Sequence, residues 1–136
     1  MTIMEYTVYR EPEILSLYGS VGWSNYTNRP GMLKAAFANS LCVLAAYEGD
    51  EVAGLIRAVG DGVSIVFVQD ILVRPEFQRR GIGGSLLRQV LERYQAVYQI
   101  RLATDETPET IGFYRGCGLC MDADCGCCGF SRTNLG

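Results

Sequence analysis

The sequence contains no histidine. That absence removes the Ser-His-Asp and Cys-His nucleophile systems and any metal site that needs an imidazole. Acid–base work must fall to Tyr, Glu, Asp, Cys or water. No uninterrupted apolar stretch is long enough to span a bilayer. The first residues, Met1-Thr2-Ile3-Met4-Glu5-Tyr6, lack the basic start and apolar run of a secretory signal. The expectation is a cytoplasmic protein with no membrane partner. An excess of positive charge is missing too. Lys and Arg total 12 against 15 Asp and Glu, a net charge of −3, which speaks against general nucleic-acid binding. Repeats, low-complexity tracts and linkers are absent. The 136 residues read as a single domain, 1–136, and a hydrophobic content of 49% suffices for a core.

What is present is a basic, glycine-rich segment, Gln78-Arg79-Arg80-Gly81-Ile82-Gly83-Gly84-Ser85. It follows an apolar run that reads as a strand, Ile65 to Val73, and opens a segment that reads as a helix, Leu86 to Tyr94. A strand, a tight basic loop and a helix N-terminus together form a device for holding phosphate. Free N–H groups of the first turn point at the anion, and the helix dipole favours negative charge there. Glycines let the backbone approach the ligand without a Cβ in the way. A P-loop needs Lys and then Ser or Thr after its last glycine, but Ser85 and Leu86 stand there. The dinucleotide fingerprint needs a third glycine where Leu86 stands. Arg74, Arg79, Arg80, Arg88 and Arg93 crowd this region, which suits a polyanionic small molecule better than a polymer.

Periodicity orders the rest of the chain. Thr7 to Tyr9 reads as a first strand, and Pro12 with Ile14, Leu15 and Tyr18 as a helix. Gly22 to Asn28 is a loop by composition, and Pro30 to Ala38 a second helix. Leu41 to Tyr47, Val52 to Val59 and Ser64 to Val73 read as three strands joined by short turns, an antiparallel meander. Leu86, Leu87, Val90, Leu91 and Tyr94 form the apolar stripe of an amphipathic helix lying on a sheet. Tyr98 to Ala103 is a strand reached through that helix, so it runs parallel to its predecessor. Thr107 is an N-cap with Pro108 at the first helical position, and the last helix ends near Gly116 or Gly118. The tail from Met121 is assigned two short strands.

The pattern Gln78-x-x-Gly81-x-Gly83, preceded by Asp70-Ile71-Leu72-Val73-Arg74-Pro75-Glu76-Phe77, resembles the pyrophosphate loop of the GNAT superfamily of N-acetyltransferases. Thr107-Pro108-Glu109-Thr110-Ile111-Gly112-Phe113-Tyr114-Arg115-Gly116-Cys117-Gly118-Leu119 resembles that family's later helix. The resemblance covers roughly Leu41 to Leu119. It implies an α/β (α+β) fold, a mixed, mostly antiparallel sheet flanked by helices, with acetyl-CoA as co-substrate. It implies that Gln78, Arg79, Arg80, Gly81, Ile82, Gly83, Gly84 and Ser85 hold the diphosphate. It further implies that Ile71, Leu72 and Val73 belong to a strand splayed from its neighbour, with main-chain groups facing the pantetheine arm. Their side chains still fill the core, so an ordinary buried strand is the parallel reading. Thr107 stands where the family often has an Asn bonded to that arm, and serves equally as a helix cap.

Tyr114 matches the family tyrosine near the cofactor sulfur. It is the candidate general acid; the alternative is a half-buried aromatic packed on Phe113. Phenol and thiol have pKa values of about 10 and about 8.5, so assistance to a leaving thiolate is the firmer expectation than full transfer. Asp70 is the candidate base, acting directly, through water, or by binding the substrate ammonium; a structural carboxylate is the other reading. Glu106 and Glu109 are weaker candidates, because acidic residues favour a helix start anyway. The resemblance places the acceptor pocket at the N-terminal helices and C-terminal strands. Trp23 and Tyr26, with Tyr18 and Phe130, are candidate walls for a small amine with an apolar body, or else staples that hold a loop on the core.

Cys117, Cys120, Cys125, Cys127 and Cys128 crowd the tail, with Cys42 far away. The segment 121–124 between the Cys pairs is shorter than most zinc motifs, and Cys127 and Cys128 point to opposite faces if the tail is a strand. The expectation is free, structural thiols and no metal. The reading is an acetyl-CoA-dependent N-acetyltransferase acting on a small-molecule amine by direct attack in a ternary complex, with a homodimer possible. Protein N-terminal or lysine acetylation, a non-catalytic acyl-CoA sensor and a thiol-rich metal module are the alternatives.

Overall fold

A computed structural model of the chain describes residues 1–135. Its elements, in order, are β1 (Thr2–Glu5), α1 (Glu11–Ser20), α2 (Ser24–Thr27), α3 (Pro30–Ala38), β2 (Cys42–Glu48), β3 (Glu51–Gly60), β4 (Ile65–Val73), α4 (Ile82–Arg93), β5 (Gln99–Leu102) and α5 (Pro108–Gly116). The chain divides into two compact units, Met1–Ala103 and Thr104–Gly136. The sheet lies in the first, in the order β1-β2-β3-β4-β5. Its pairs are antiparallel except β4 and β5, which are parallel because α4 carries the chain across.

Residues 52–58 of β3 are buried without a break. Side chains alternate between faces along a strand, so both faces of β3 are covered. α1 and α3 bring Ile14, Leu17, Tyr18, Leu33 and Phe37 into one cluster with Ala45, Val52, Leu55 and Leu72. α4 packs on β2, β3 and β4 and buries Leu86, Leu87 and Val90 of the expected stripe, together with Ile82 one turn earlier, while Leu91 and Tyr94 are half-buried. The expected mixed, mostly antiparallel sheet flanked by helices is what forms. Among the described residues no helix is long and apolar enough to cross a membrane.

Three expectations need correction. The first strand is Thr2–Glu5 rather than Thr7 to Tyr9. Residues 2–5 pair with Tyr47 to Leu44, while Tyr9 packs its ring on Phe37 at 5.1 Å. The Tyr6 hydroxyl donates to Glu13 at 2.7 Å and accepts from the Arg10 N–H, turning the chain toward α1. The 22–28 loop contains the single helical turn α2, held by edge-on contacts of Tyr18 with Trp23 and Tyr26. The tail forms a 3-10 turn, Asp122–Cys125, and no strand among the described residues. Gly126 ends that turn in the left-handed region at φ 76°, and residues 122–135 bury no apolar face that would select a strand.

Candidate active site

β4 ends at Val73, a 3-10 turn follows at Pro75–Phe77, and Gln78 closes the loop by donating from Nε2 to the Val73 carbonyl at 2.9 Å. Arg79 is the non-glycine residue with positive φ, 65°, among the described residues, a conformation that costs a side-chain-bearing residue about 1 kcal/mol or more. Gly81 follows at φ 78° as N-cap of α4, with open space where a Cβ would stand and no side-chain cap. α4 therefore starts at Ile82, four residues before the expected Leu86. Ser85 N–H donates to the Gly81 carbonyl at 3.0 Å, so the N–H groups of Ile82, Gly83 and Gly84 precede the helical ladder. Arg80 covers the Phe77 ring at 5.3 Å, and Arg79, Arg80 and Arg88 are exposed. The other two arginines of the expected cluster are engaged elsewhere. Arg74 donates to the Val52 carbonyl and Ser16, and Arg93 pairs with Glu5.

The strand before the loop is splayed. β4 pairs with β5 from Ile65 to Val68 and no further. Gln69 is an extra residue there: Arg57 faces Asp70 and Ala58 faces Val68, which leaves Gln69 without a partner on β3. Beyond the bulge, the Arg74 N–H donates to the Ala53 carbonyl at 2.8 Å. Antiparallel alternation then turns the peptide groups of Leu72 and Asp70 toward β3 and those of Ile71 and Val73 toward the edge that β5 has left. The Ile71 N–H and carbonyl and the Val73 N–H thus form an open main-chain edge, with the Val73 carbonyl taken by Gln78, that leads into an uncapped helix N-terminus.

Behind the bulge lies a buried polar cluster. Asp70 and Arg57 are 2% and 4% exposed, and Arg57 Nε donates to Asp70 Oδ2 at 2.8 Å. The Tyr18 hydroxyl also donates to Oδ2 and the Tyr26 hydroxyl to Oδ1, each at 2.8 Å. Gln69 Nε2 donates to the Tyr26 oxygen at 3.3 Å, and Arg57 Nη1 to Ser40 Oγ at 3.3 Å. Burial, then the Asp70 charge, pushes the Tyr18 phenol well above its ordinary value. Burial likewise raises Tyr26, against the hydrogen bond from Gln69. Burial opposes the Arg57 charge, yet Asp70 more than offsets it and the guanidinium is raised.

The family model described as "Acetyltransferase (GNAT) family" matches residues 9–119. The chain belongs to the acetyltransferase (GNAT) family. A GNAT-family acetyltransferase structure from Streptococcus pneumoniae TIGR4 superposes with a TM-score of 0.89 at 42% identity, covering 99% of this chain and 98% of that one. An uncharacterized N-acetyltransferase of Gracilaria tenuistipitata var. liui is 30% identical over 119 residues, 82% of this chain and 63% of the relative. An aminoglycoside 6'-N-acetyltransferase complexed with coenzyme A shares the fold at 18% identity and a TM-score of 0.62, over 71% of this chain and 56% of that one. The chain spans 34% to 69% of the length of the sequence relatives it matches.

Within this GNAT chain the remaining sequence-predicted residues are placed as follows. Tyr114 lies half-buried in α5 of the second unit, edge-on to Phe113 at 4.9 Å. Burial first, then the neighbouring Cys117, raises its pKa against a hydrogen bond with Thr104, so it stays a phenol at neutral pH. Thr107 is a working N-cap: Oγ1 accepts from the Thr110 N–H and donates to Thr110 Oγ1. Asp70 has the geometry of an anchor, since both of its oxygens are occupied by donors. Trp23 and Tyr26 are half-buried, whereas Tyr18 is fully buried and stands behind them as support rather than as a wall. Phe130 is 96% exposed, in the strandless tail. Cys117 is half-buried and Cys120, Cys125, Cys127 and Cys128 are exposed, all as free thiols. Sequence reasoning missed Arg57 and Gln69. Arg57 carried a signal: a charge inside the apolar run 52–59 is costly to bury unless a partner such as Asp70 waits on the next strand. Gln69 carried none, because a bulge is a property of the pairing.

Proposed function

We propose that the chain transfers the acetyl group of acetyl-CoA to a primary amine of a small molecule, by direct attack in a ternary complex. The observation that carries this reading is the free β4 edge leading into the uncapped N-terminus of α4. Such a surface fits a ligand with amide groups at one end of a chain and a diphosphate at the other. The coenzyme A in the aminoglycoside enzyme's complex is such a molecule. Acetyl-CoA supplies the activated acetyl group. The Ile71 N–H and carbonyl and the Val73 N–H bind its amide arm, and the N–H groups of Ile82, Gly83 and Gly84 bind its diphosphate. Arg79 and Arg80 add charge.

In the balanced reaction the amine nitrogen bonds to the acetyl carbon and the carbon–sulfur bond breaks. The nitrogen loses a proton to water, and the departing thiolate takes one. By the family resemblance Tyr114, a phenol at neutral pH, is the proposed hydrogen-bond donor that assists the departing sulfur. The chain has no histidine to serve as the base of a serine or cysteine relay, which supports direct attack. The half-buried aromatics Trp23 and Tyr26 beside β4 support an acceptor with an apolar body.

The test is a thiol-release assay with acetyl-CoA and a panel of alkylamines, arylalkylamines and peptides with free N-termini or lysines. Turnover of small amines above peptides is the expected result. Faster release with peptides would move the acceptor to proteins. Binding of coenzyme A by calorimetry, with no release for any amine, would leave a sensor rather than an enzyme.

A further inference from the structure

The sequence reading leaves Gln69 and Arg57 without a role, yet both belong to one connected cluster with Asp70 and Tyr26. The direction of each hydrogen bond in that cluster is determined. The Tyr26 proton is committed to Asp70 Oδ1 at 2.8 Å. Its oxygen can therefore only accept from its remaining neighbours, and the Gln69 amide must present Nε2 to it. Gln69 Oε1 is then turned elsewhere, on an exposed side chain that the bulge pushes out of the sheet just where β4 and β5 part. At 3.3 Å the Gln69–Tyr26 bond is long, and it uses one of the two lone pairs of the phenol oxygen, which leaves the other to accept from a further donor. The Asp70 charge beneath is cancelled by Arg57 at 2.8 Å.

Resting on the acetyltransferase reading, we infer that Tyr26 and Gln69 receive the N–H groups of the acceptor amine, presenting oxygen lone pairs over an ion pair that is already neutralised. Arg57 and Asp70 are positioning residues in this arrangement. The chemistry explains why a carboxylate so near the splay is kept paired. A free carboxylate would hold the acceptor as its ammonium, which has no lone pair with which to attack the thioester. Two neutral oxygens bind the amine's N–H groups without favouring its charged form to that extent. The preferred acceptor is a primary amine that reaches the splay as the free base, with an apolar body against Trp23.

Two variants test this, Tyr26→Phe, which keeps the ring, and Gln69→Leu, on an exposed side chain. Steady-state rates are measured with two small amines of well-separated basicity, and coenzyme A affinity by calorimetry. KM for the amine should rise about five- to ten-fold in each variant, the loss of roughly one hydrogen bond, with kcat and coenzyme A affinity nearly unchanged. The acidic limb of the parent's kcat/KM profile should follow the basicity of the amine. Parental KM in both variants would overturn the inference. So would an acidic limb that stays at one pH for both amines, since a protein group would then be taking the proton. An active parent with either result leaves the acetyltransferase reading standing. A parent that binds coenzyme A but acetylates no amine defeats that reading, and the inference falls with it.

Discussion

Gly83 lies one residue inside α4, with its N–H among those that precede the helical ladder. An aspartate there favours the helix, because negative charge suits the first turn. Gly83→Asp should therefore fold at least as well as the parent and still lose coenzyme A affinity by a hundred-fold or more, about 3 kcal/mol of lost phosphate contact. Calorimetry with a thermal melt on the same sample separates the two effects, and parental affinity in a folded variant rejects the phosphate assignment. Tyr114→Phe isolates a single proton. Turnover should fall by roughly ten to a thousand-fold with acetyl-CoA affinity retained, the range expected of one positioned acid with water as substitute. Unchanged turnover where chemistry limits the rate would remove Tyr114 from proton transfer. Both positions stand out in the sequence because each lies in a motif that carries the resemblance to the GNAT family.

At the level of elements, the β3–β4 hairpin depends on Gly60 and Asp61. Gly60 has φ 135°, and a Cβ there would stand 2.4 Å from the Ile65 carbonyl oxygen. Asp61 accepts from the Ser64 hydroxyl and from the Val63, Ser64 and Ile65 N–H groups. The Ser64 hydroxyl first, then those N–H groups, hold its carboxyl well below the usual carboxylate range. A folded value below the unfolded one of about 3.9 stabilises the hairpin fully above that pH and loses this stabilisation as pH falls toward the folded value. The stability gap between parent and Asp61→Asn, followed by thermal melts, should thus shrink below about pH 4. A gap constant with pH would assign the role to geometry alone. The strands flanking this turn were readable from apolar runs bounded by Gly and Asp. β1 was not, since its four residues are mostly exposed and only their pairing with β2 selects them over Val8 and Tyr9. The tail was misread for the converse reason: its cysteines and Phe130 suit a strand, but no face of it is buried.

For the molecule as a whole, the Arg57–Asp70 pair joins β3 and β4 to α1 and α2 through Tyr18 and Tyr26. Arg57→Met should cost about 3–5 kcal/mol, because it leaves Asp70 buried without its counter-charge. A melting temperature within a degree or two of the parent's would show that water or a neighbour compensates. Long-range polar ties of this kind are where sequence reading stops. The two charges are visible on adjacent strands, but their register, the bulge at Gln69 and the recruitment of two tyrosines belong to the assembled sheet.

The exposed edge of β4 bears on how such a chain changes over generations. A grip made of main-chain atoms has no side-chain genotype. Under the proposed reading, residues 71 and 73 are free to drift among apolar types that fill the core while the amide groups they contribute stay the same. Only proline deletes one. At position 71 the lost N–H points away from β3, so Ile71→Pro should keep the β3–β4 ladder and lose acyl-CoA affinity, whereas Ile71→Val should lose neither. A saturation scan selected for activity would then tolerate Ile71 substitutions by size and polarity alone, with proline as the exception that volume does not explain.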